Sequence, residues 1–154
     1  MRKIIVRTSR LYIVPQSPEE LNSLHDGEID EELKQAYREM METMRQLPGR
    51  EEWGTNWMIC LSSGQTIGGF CFKGAPDAGG SVEIGYGIDE AYRQKGYATE
   101  AVKGMVGWAL GQNNVRQVVA QTEADNEVSR KVLLNNGFVR DGYGEEGPLY
   151  KISL

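Results

Sequence analysis

Residues 93–99, which read Arg-Gln-Lys-Gly-Tyr-Ala-Thr, have the composition of an anion-binding loop. A strand pattern precedes them and a helical pattern follows. The first turn of a helix offers unpaired N–H groups and a positive dipole end, and Gly96 lets a phosphate approach the backbone. Arg93 and Lys95 add positive charge to a chain of net charge −5. This phosphate loop predicts a pyrophosphate site, although an ordinary helix start with two solvated cations has the same sequence signature.

Residues 81–88 form a second candidate, because apolar residues alternate there with bare or charged positions. One face carries the apolar residues Val82, Ile84, Tyr86 and Ile88. The other face carries Glu83, Gly85 and Gly87. Two glycines on one face leave the backbone exposed, which favours close approach of a ligand or of another backbone. The carboxylate of Glu83 stands beside this bare strip, although a glutamate on a solvated sheet face is the commoner arrangement.

Asn126 and Ser129 form a third candidate, three residues apart on one face of a predicted helix. They follow the end of a predicted parallel strand, where open α/β sheets commonly bind ligands. The alternative is a plain helix cap, with Asn126 holding a first-turn N–H and Ser129 an ordinary residue of that turn. For Asn126 alone, the cap is the favoured interpretation.

Composition excludes several classes of function. The 154 residues are 40% apolar, which is typical of one globular domain. The sequence has no block of basic residues, so we expect no binding to nucleic acid. Two cysteines, Cys60 and Cys71, and one histidine, His25, do not make a zinc or haem ligand set, so we expect no metal. No apolar run is long enough for a membrane span or a secretory signal, which predicts a cytoplasmic protein.

The remaining sequence supplies the elements that must position these candidates. Apolar runs bounded by turn residues predict strands over residues 10–14, 56–61, 66–72, 81–88, 115–120, 138–140 and 149–152, with 4–6 as an edge segment. Helical spacing predicts helices from Ser17, over 29–47, from 98 to a stop at Gly111, and over 126–136. A helix between strands 81–88 and 115–120 makes those strands parallel. The sequence therefore predicts a mixed α/β sheet that is not doubly wound.

The methionines, cysteines, tryptophans and the histidine outside these motifs are expected to have structural rather than catalytic roles. Three methionines on the helix over 29–47 are predicted to pack in the core; they are Met40, Met41 and Met44. Cys60 and Cys71 fit small core positions, and His25 fits a solvated helix surface. Trp53 and Trp57 fit either the core or the wall of a pocket.

Taken together, the candidate motifs resemble those of the GNAT superfamily of acyl-CoA-dependent N-acetyltransferases. The motifs are, in chain order, Glu83-Ile84-Gly85-Tyr86, Arg93-x-x-Gly96-x-Ala98, Asn126-x-x-Ser129 and Gly137-Phe138. The opening Thr8-Ser9-Arg10-Leu11 and the Asn-x-x-Ser element are also similar to the branch that includes ribosomal-protein N-terminal acetyltransferases.

The resemblance implies one acyl-CoA N-acyltransferase domain over residues 1–154. Its fold would be a central mixed, largely antiparallel sheet flanked by helices, with one splayed pair of parallel strands that admits the pantetheine arm. The resemblance assigns cofactor binding to Gly87, Ile88, Arg93, Gln94, Lys95, Gly96, Tyr97, Ala98, Thr99, Asn126 and Ser129.

The implied reaction is transfer of an acetyl group from acetyl-CoA to a primary amine of a small molecule or a peptide N-terminus. The amine attacks the thioester directly in a ternary complex. Glu83 is the expected general base, with Glu123 as the second candidate, and an N–H near Gly87 or Ile88 serves the oxyanion. The sequence does not distinguish a monomer from a homodimer.

One departure concerns the leaving thiolate. Many family members place a proton-donating tyrosine a few residues before the Gly-Phe pair, where this chain has Val132, Leu133 and Leu134. Ser129 is the expected substitute, and Tyr143 and Tyr150 are the remoter alternatives. The missing tyrosine keeps open a second interpretation, a catalytically weak acyl-CoA-binding module. A third interpretation keeps the fold and treats the helix start at Gly96 as a site for another phosphate ligand.

Overall fold

An eight-stranded sheet forms the centre of the computed structural model, which describes residues 1–153. Its strands are β1 (Val6–Arg7), β2 (Leu11–Pro15), β3 (Asn56–Leu61), β4 (Thr66–Phe72), β5 (Ser81–Ile88), β6 (Gln117–Gln121), β7 (Val139–Tyr143) and β8 (Pro148–Ser153). They lie in the order β1-β2-β3-β4-β5-β6-β8-β7. Only β5 and β6 pair in parallel among the described strands. The predicted mixed, largely antiparallel sheet is confirmed.

Four α-helices accompany the sheet in the described part of the chain, namely α1 (Pro18–Gly27), α2 (Glu31–Arg45), α3 (Tyr97–Leu110) and α4 (Glu127–Asn135). Ser17 and Glu20 form a reciprocal capping box at the start of α1. Asp30 caps α2 by accepting hydrogen bonds from the N–H groups of Glu32 and Leu33. None of the helices in residues 1–153 is long and apolar enough to cross a membrane.

The core lies where α3 packs on the sheet. The helix buries one apolar stripe, consisting of Ala101, Val102, Met105, Val106 and Ala109. At its C-terminal end, the Trp108 ring lies 5.2 Å from that of Trp53 and 5.1 Å from that of Trp57. Trp53 and Trp57, which the sequence placed either in the core or in a pocket wall, are therefore core residues. They pack against the C-terminal end of α3 and hold it against β3 and β4.

Several predicted boundaries differ from the observed ones. Ile29 is 93% exposed and precedes α2, because the cap at Asp30 starts the helix after it. Of the three methionines predicted for the core, Met44 is fully buried, while Met40 and Met41 are half-buried. Strand β6 begins two residues later than predicted, and β7 extends to Tyr143. Phe138, predicted to open β7, precedes that strand and packs in the core.

The parallel pair is short, and this shapes the centre of the sheet. Pairing runs from Ser81 opposite Gln117 to Ile84 opposite Ala120. Strand β5 continues for four more residues, whereas β6 ends at Gln121 and the chain turns towards α4. Beyond Ile84 the two strands therefore leave an opening, which we call the strand gap, and the phosphate loop lies beyond the far end of β5.

Candidate active site

The phosphate loop has an unusual backbone at the start of α3. Gln94 has φ of +62°, and Gly96 has φ of +80° and is the N-cap residue. Alternating left-handed residues turn successive N–H groups to one side, which forms an anion-binding concavity. Gly96 makes no side-chain cap, and the first turn starts with the bond from the Glu100 N–H to the Gly96 carbonyl. The N–H groups ahead of Glu100 are therefore available to a phosphate.

Arg10 braces this loop from the start of β2. Its Nη1 donates to the Lys95 carbonyl at 3.0 Å, and its guanidinium lies 4.4 Å from the centre of the Tyr97 ring. A peptide carbonyl and the following N–H point in opposite directions. Holding the Lys95 carbonyl against Arg10 therefore turns the Gly96 N–H away from Arg10. Arg10 belongs to the motif Thr8-Ser9-Arg10-Leu11 that resembles one family branch, but the motif itself predicts no role for the Arg10 side chain.

Glu100 completes the brace from the first turn of α3. Its carboxylate accepts from Arg10 Nε at 2.7 Å, from the Arg10 N–H at 2.8 Å and from the Thr8 hydroxyl. Burial raises the pKa of this carboxyl, but the hydrogen bonds from Thr8 and Arg10 outweigh it, so the pKa is lowered. A lowered folded-state pKa gives stability that is present above the ordinary carboxyl range and is lost as the pH falls through the folded value.

The strand gap exposes backbone groups of β5. The Asp89 N–H donates to the Ile67 carbonyl, and the Lys73 N–H donates to the Glu83 carbonyl, each at 2.8 Å. Because backbone groups alternate sides along a strand, the odd-numbered residues of β5 bond to β4. Tyr86 and Ile88 therefore direct their N–H and C=O groups to the strand gap. Arg93 Nε donates to the Ile88 carbonyl at 2.9 Å, which leaves the Ile88 N–H facing the gap.

A cleft of about 610 Å³ lies over the bare strip of β5 and leads to Arg93. Its floor includes Gly69, Gly85 and Gly87. A Cβ added at Gly87 would meet no atom within 4 Å, whereas one added at Gly85 would lie 3.3 Å from Cys71 Sγ. The two glycines therefore keep open a volume of the size that small-molecule sites occupy. Cys71, predicted as a core residue, is instead partly exposed along this cleft.

Glu83 lies two residues further along the same face of β5, and its carboxylate already has partners. Lys73 Nζ lies 3.0 Å from Oε2, and Gln121 Nε2 donates to the same oxygen at 3.1 Å. Lys73 also pairs with Glu146 at 3.0 Å. Burial lowers the pKa of Lys73, but hydrogen bonds to Glu146 and Glu83 outweigh it, so the pKa is raised and Lys73 remains an ammonium. Glu123, the second candidate base, is exposed in the loop before α4.

The third candidate pair lies at the start of α4. Asn126 Oδ1 accepts from the Ser129 N–H at 3.0 Å, so the predicted cap is confirmed. The Ser129 hydroxyl lies 2.9 Å from Tyr86 Oη, which reaches across from β5. The alternative hydroxyls are placed differently, since Tyr143 is 76% exposed on β7 and Tyr150 is buried in β8.

Sequence reasoning found the loop, the strip and the helix start but missed Arg10, Lys73, Gln121 and Tyr86 as site residues. Alternation placed Tyr86 correctly on the more buried face of β5, yet it gave no sign that the hydroxyl reaches Ser129. The other three residues touch the site from distant parts of the chain, where no local pattern marks them.

Comparison with known proteins gives the family. A model of the family described as "Acetyltransferase (GNAT) domain" matches residues 10–139. An uncharacterized N-acetyltransferase of Bacillus subtilis, YjdG, is 36% identical over 85 residues, 54% of this chain and 51% of the relative. The ribosomal-protein-serine acetyltransferase of Escherichia coli is 28% identical over 78 residues, 51% of this chain and 44% of the relative. The chain thus spans about half the length of these curated relatives.

Solved structures share the fold at low sequence identity. A GNAT-family acetyltransferase from Bacillus anthracis superimposes with a TM-score of 0.71 at 20% identity, covering 97% of this chain and 98% of the other. RimL, a ribosomal alpha-N-protein acetyltransferase in complex with coenzyme A, gives 0.76 at 14% identity, covering 98% of each chain. The match over most of the sequence, together with the shared architecture, shows that this chain belongs to the GNAT acetyltransferase family.

Proposed function

We propose that this chain is a single-domain N-acetyltransferase, residues 1–154, that moves an acetyl group from acetyl-CoA to a primary amine. The observation that carries the proposal is the alignment of two features along β5. A phosphate loop with left-handed Gln94 and Gly96 lies at one end of the strand gap, and the bare strip at Gly85 and Gly87 lies beside it. A ligand with a pyrophosphate, an extended arm and a reactive end matches this arrangement.

In this proposal the phosphate loop holds the pyrophosphate through backbone N–H groups of residues 94–99, with Arg93 and Lys95 adding charge. The main chain near Ile88, which faces the strand gap, lies alongside the pantetheine arm. Gly87 directs its own N–H to β4, so its part is to leave room rather than to donate a hydrogen bond. Asn126 acts through Ser129, which it caps.

The reaction makes three demands on the site, namely loss of an amine proton, stabilisation of the oxyanion and departure of the thiolate. A lysine-type amine of pKa ~10.4 costs about 4 to 5 kcal/mol to neutralise at pH 7, whereas an α-amino group near ~7.8 costs about 1. Glu83 serves as the base, directly or through water. The Ile88 N–H faces the gap and is our candidate oxyanion donor, a role worth roughly 3 kcal/mol in other enzymes.

The acceptor in this proposal is a cationic amine, with a peptide N-terminus as the first class to test and small-molecule amines as the second. One relative is named a ribosomal-protein-serine acetyltransferase, which supports a peptide acceptor. The helical hairpin formed by α1 and α2 carries nine acidic and three basic residues between Pro18 and Arg45. Such an excess of negative charge attracts cationic substrates at low ionic strength.

Thermal unfolding with and without acetyl-CoA is the direct test of the cofactor half of this proposal. At about 100 times the dissociation constant, binding adds about 2.7 kcal/mol to the free energy of unfolding and raises Tm by several degrees. Titration with CoA, dephospho-CoA and ATP then separates an acyl-CoA site, which prefers CoA, from a general phosphate site. An unchanged Tm would remove the enzyme assignment as well.

A catalytically weak acyl-CoA-binding module is the second candidate function, and one observation favours it. Glu83 already binds Lys73 and Gln121, so the proposed base is not free in the resting protein. Release of free CoA in the presence of a panel of peptide and small-molecule amines decides between the two. Turnover above background supports the transferase, and tight acetyl-CoA binding without turnover supports the binding module.

A further inference from the structure

The side chain of Tyr86 reaches across the strand gap to the first turn of α4. Tyr86 lies on β5 two positions beyond Ile84, which is the last residue of β5 that pairs with β6. Its hydroxyl lies 2.9 Å from Ser129 Oγ and 3.4 Å from the Ser129 carbonyl oxygen. The two side chains thus join β5 to α4 at the place where the sheet opens.

Ser129 is held from two sides. Its N–H donates to Asn126 Oδ1 at 3.0 Å, which fixes the backbone in the first turn of α4. Its hydroxyl contacts that of Tyr86, a half-buried residue on the more buried face of β5. A hydroxyl that is fixed through both its backbone and its oxygen has one remaining freedom, the direction of its own proton.

The direction of that proton follows from how the pair shares its hydrogen bonds. A hydroxyl group has one proton to donate and two lone pairs to accept with. Tyr86 can give its one hydroxyl proton either to Ser129 Oγ at 2.9 Å or to the Ser129 carbonyl oxygen at 3.4 Å, and when it donates to the nearer Oγ, the Ser129 proton is free for a third group. Burial raises the pKa of Tyr86, and although the hydrogen bond with Ser129 lowers it, the net shift is upward. Tyr86 therefore keeps its proton at neutral pH and remains able to donate.

We propose that Tyr86 is a positioning residue that orients the Ser129 hydroxyl as a hydrogen-bond donor to the leaving sulfur of acetyl-CoA. This inference rests on the proposed function and supplies a substitute for the tyrosine that residues 132–134 lack. Of those three, Val132 and Leu133 are buried, and none has a hydroxyl.

The chemical step balances without proton loss from Tyr86. The acceptor nitrogen forms a bond to the thioester carbon, the carbon–sulfur bond breaks, and its electron pair stays on sulfur. The nitrogen loses one proton to Glu83 or water, and the thiolate later gains one proton, so the number of protons is conserved. Ser129 lowers the energy of the thiolate by donating to it, and Tyr86 keeps Ser129 in the donating orientation.

The test measures the pKa of the CoA thiol while CoA is bound, from the ultraviolet absorbance of its thiolate as a function of pH. This readout needs no acceptor amine. The variants are Tyr86→Phe, Ser129→Ala and the double variant, with Tyr12→Phe on β2 as a matched control remote from the strand gap. Circular dichroism and the affinity for CoA verify that each variant is folded and binds.

We expect the bound thiol to have a pKa about one unit higher in Tyr86→Phe and in Ser129→Ala than in the wild type and the control. The double variant should match Ser129→Ala alone, because Tyr86 acts only through Ser129. With an amine acceptor, Tyr86→Phe should lower kcat about tenfold and leave the KM for acetyl-CoA unchanged.

Three results would overturn the inference. The same thiol pKa in the wild type and all four variants removes the role of the pair, and a shift in Ser129→Ala without one in Tyr86→Phe removes the role of Tyr86. In both cases CoA binds, so the proposed function survives. Absence of CoA binding by the wild type removes the proposed function and this inference together.

Discussion

The phosphate loop and the helical hairpin are held in the fold by different kinds of contact. Around the loop, Arg10 and Glu100 make charged hydrogen bonds that join segments 90 residues apart in sequence. In the hairpin, Leu21 and Met44 are the fully buried residues of α1 and α2. Three apolar side chains there remain exposed, namely Leu24, Ile29 and Leu33.

This difference separates a preorganised region from an adaptable one. The loop already has the left-handed backbone that an anion requires, so binding costs little further ordering. The hairpin is fixed by its caps and by few buried contacts, which is typical of segments that open locally at low free energy. In the proposed enzyme, the rigid region faces the constant substrate, acetyl-CoA, and the looser, acidic hairpin is the region that we assign to the acceptor.

The largest expected effect comes from Gly96→Glu. A side chain at φ of +80° strains the backbone of the loop, and its Cβ would lie 3.4 Å from Arg10 Nη2, so that the new carboxylate would compete with Glu100 for the guanidinium that braces the loop. We expect the affinity for acetyl-CoA to fall by at least ~100-fold, measured by isothermal titration. Gly27→Glu, at the end of α1 where a Cβ meets nothing within 4 Å, is the matched control and should bind normally. Normal binding by Gly96→Glu would remove the loop from the site.

Glu83→Gln tests the chemistry that lies between the two regions. The loss of a general base typically costs 10²-fold or more, and we expect about 100-fold lower kcat at pH 7 with a lysine-type amine. At pH 9 the loss should be smaller, because more of the amine is already neutral. The measurement is kcat at both pH values, with Glu123→Gln, at the second candidate base, as the comparison that should keep its kcat if Glu83 is the base. An equal loss at both would count against Glu83 as the base.

Arg10→Met separates positioning of the loop from chemistry. Without the bonds to the Lys95 carbonyl and Glu100, the loop loses its brace. We expect the dissociation constant for acetyl-CoA to rise about tenfold, since hydrogen bonds to charged groups contribute roughly 1.5 to 3 kcal/mol, while kcat stays near the wild-type value. Arg38→Met on α2 provides the comparison and should leave the affinity unchanged. Equal behaviour of the two variants would contradict the contrast between the regions.

Asp30→Ala should have the smallest effect on the cofactor site. Removing the cap from the Glu32 and Leu33 N–H groups costs about 1 kcal/mol of local helix stability. We expect faster hydrogen exchange in α2 with an unchanged affinity for acetyl-CoA. A weaker affinity would show that the hairpin and the loop are energetically coupled, and the division into a rigid and an adaptable region would then be wrong.

Local patterns predicted the central strands well. The bounds of β3, β4 and β5 agree with the observed ones, because each is an apolar run that ends at turn residues. The start of α2 was wrong, because the apolar spacing included Ile29 while the side chain of Asp30 set the cap. A hydrogen bond to two N–H groups thus decides a helix boundary more strongly than one apolar residue does.

The site was predictable only where neighbouring residues define it. Gly96 at a helix start and the alternation of Gly85 and Gly87 are local signals. The bonds of Arg10 to Glu100 and of Tyr86 to Ser129 join residues 90 and 43 positions apart. Neither helical nor strand periodicity records such contacts, so they emerge only when the sheet brings the segments together.

The ammonium of Lys73 has a consequence for how an acceptor would enter. Because it lies on Glu83 in the resting protein, an incoming ammonium that reaches Glu83 exchanges with a cation that the chain itself supplies. The displaced Lys73 retains Glu146 as its counterion. The local charge balance at Glu83 is then the same before and after exchange, so this contact adds little to the dependence of acceptor affinity on ionic strength.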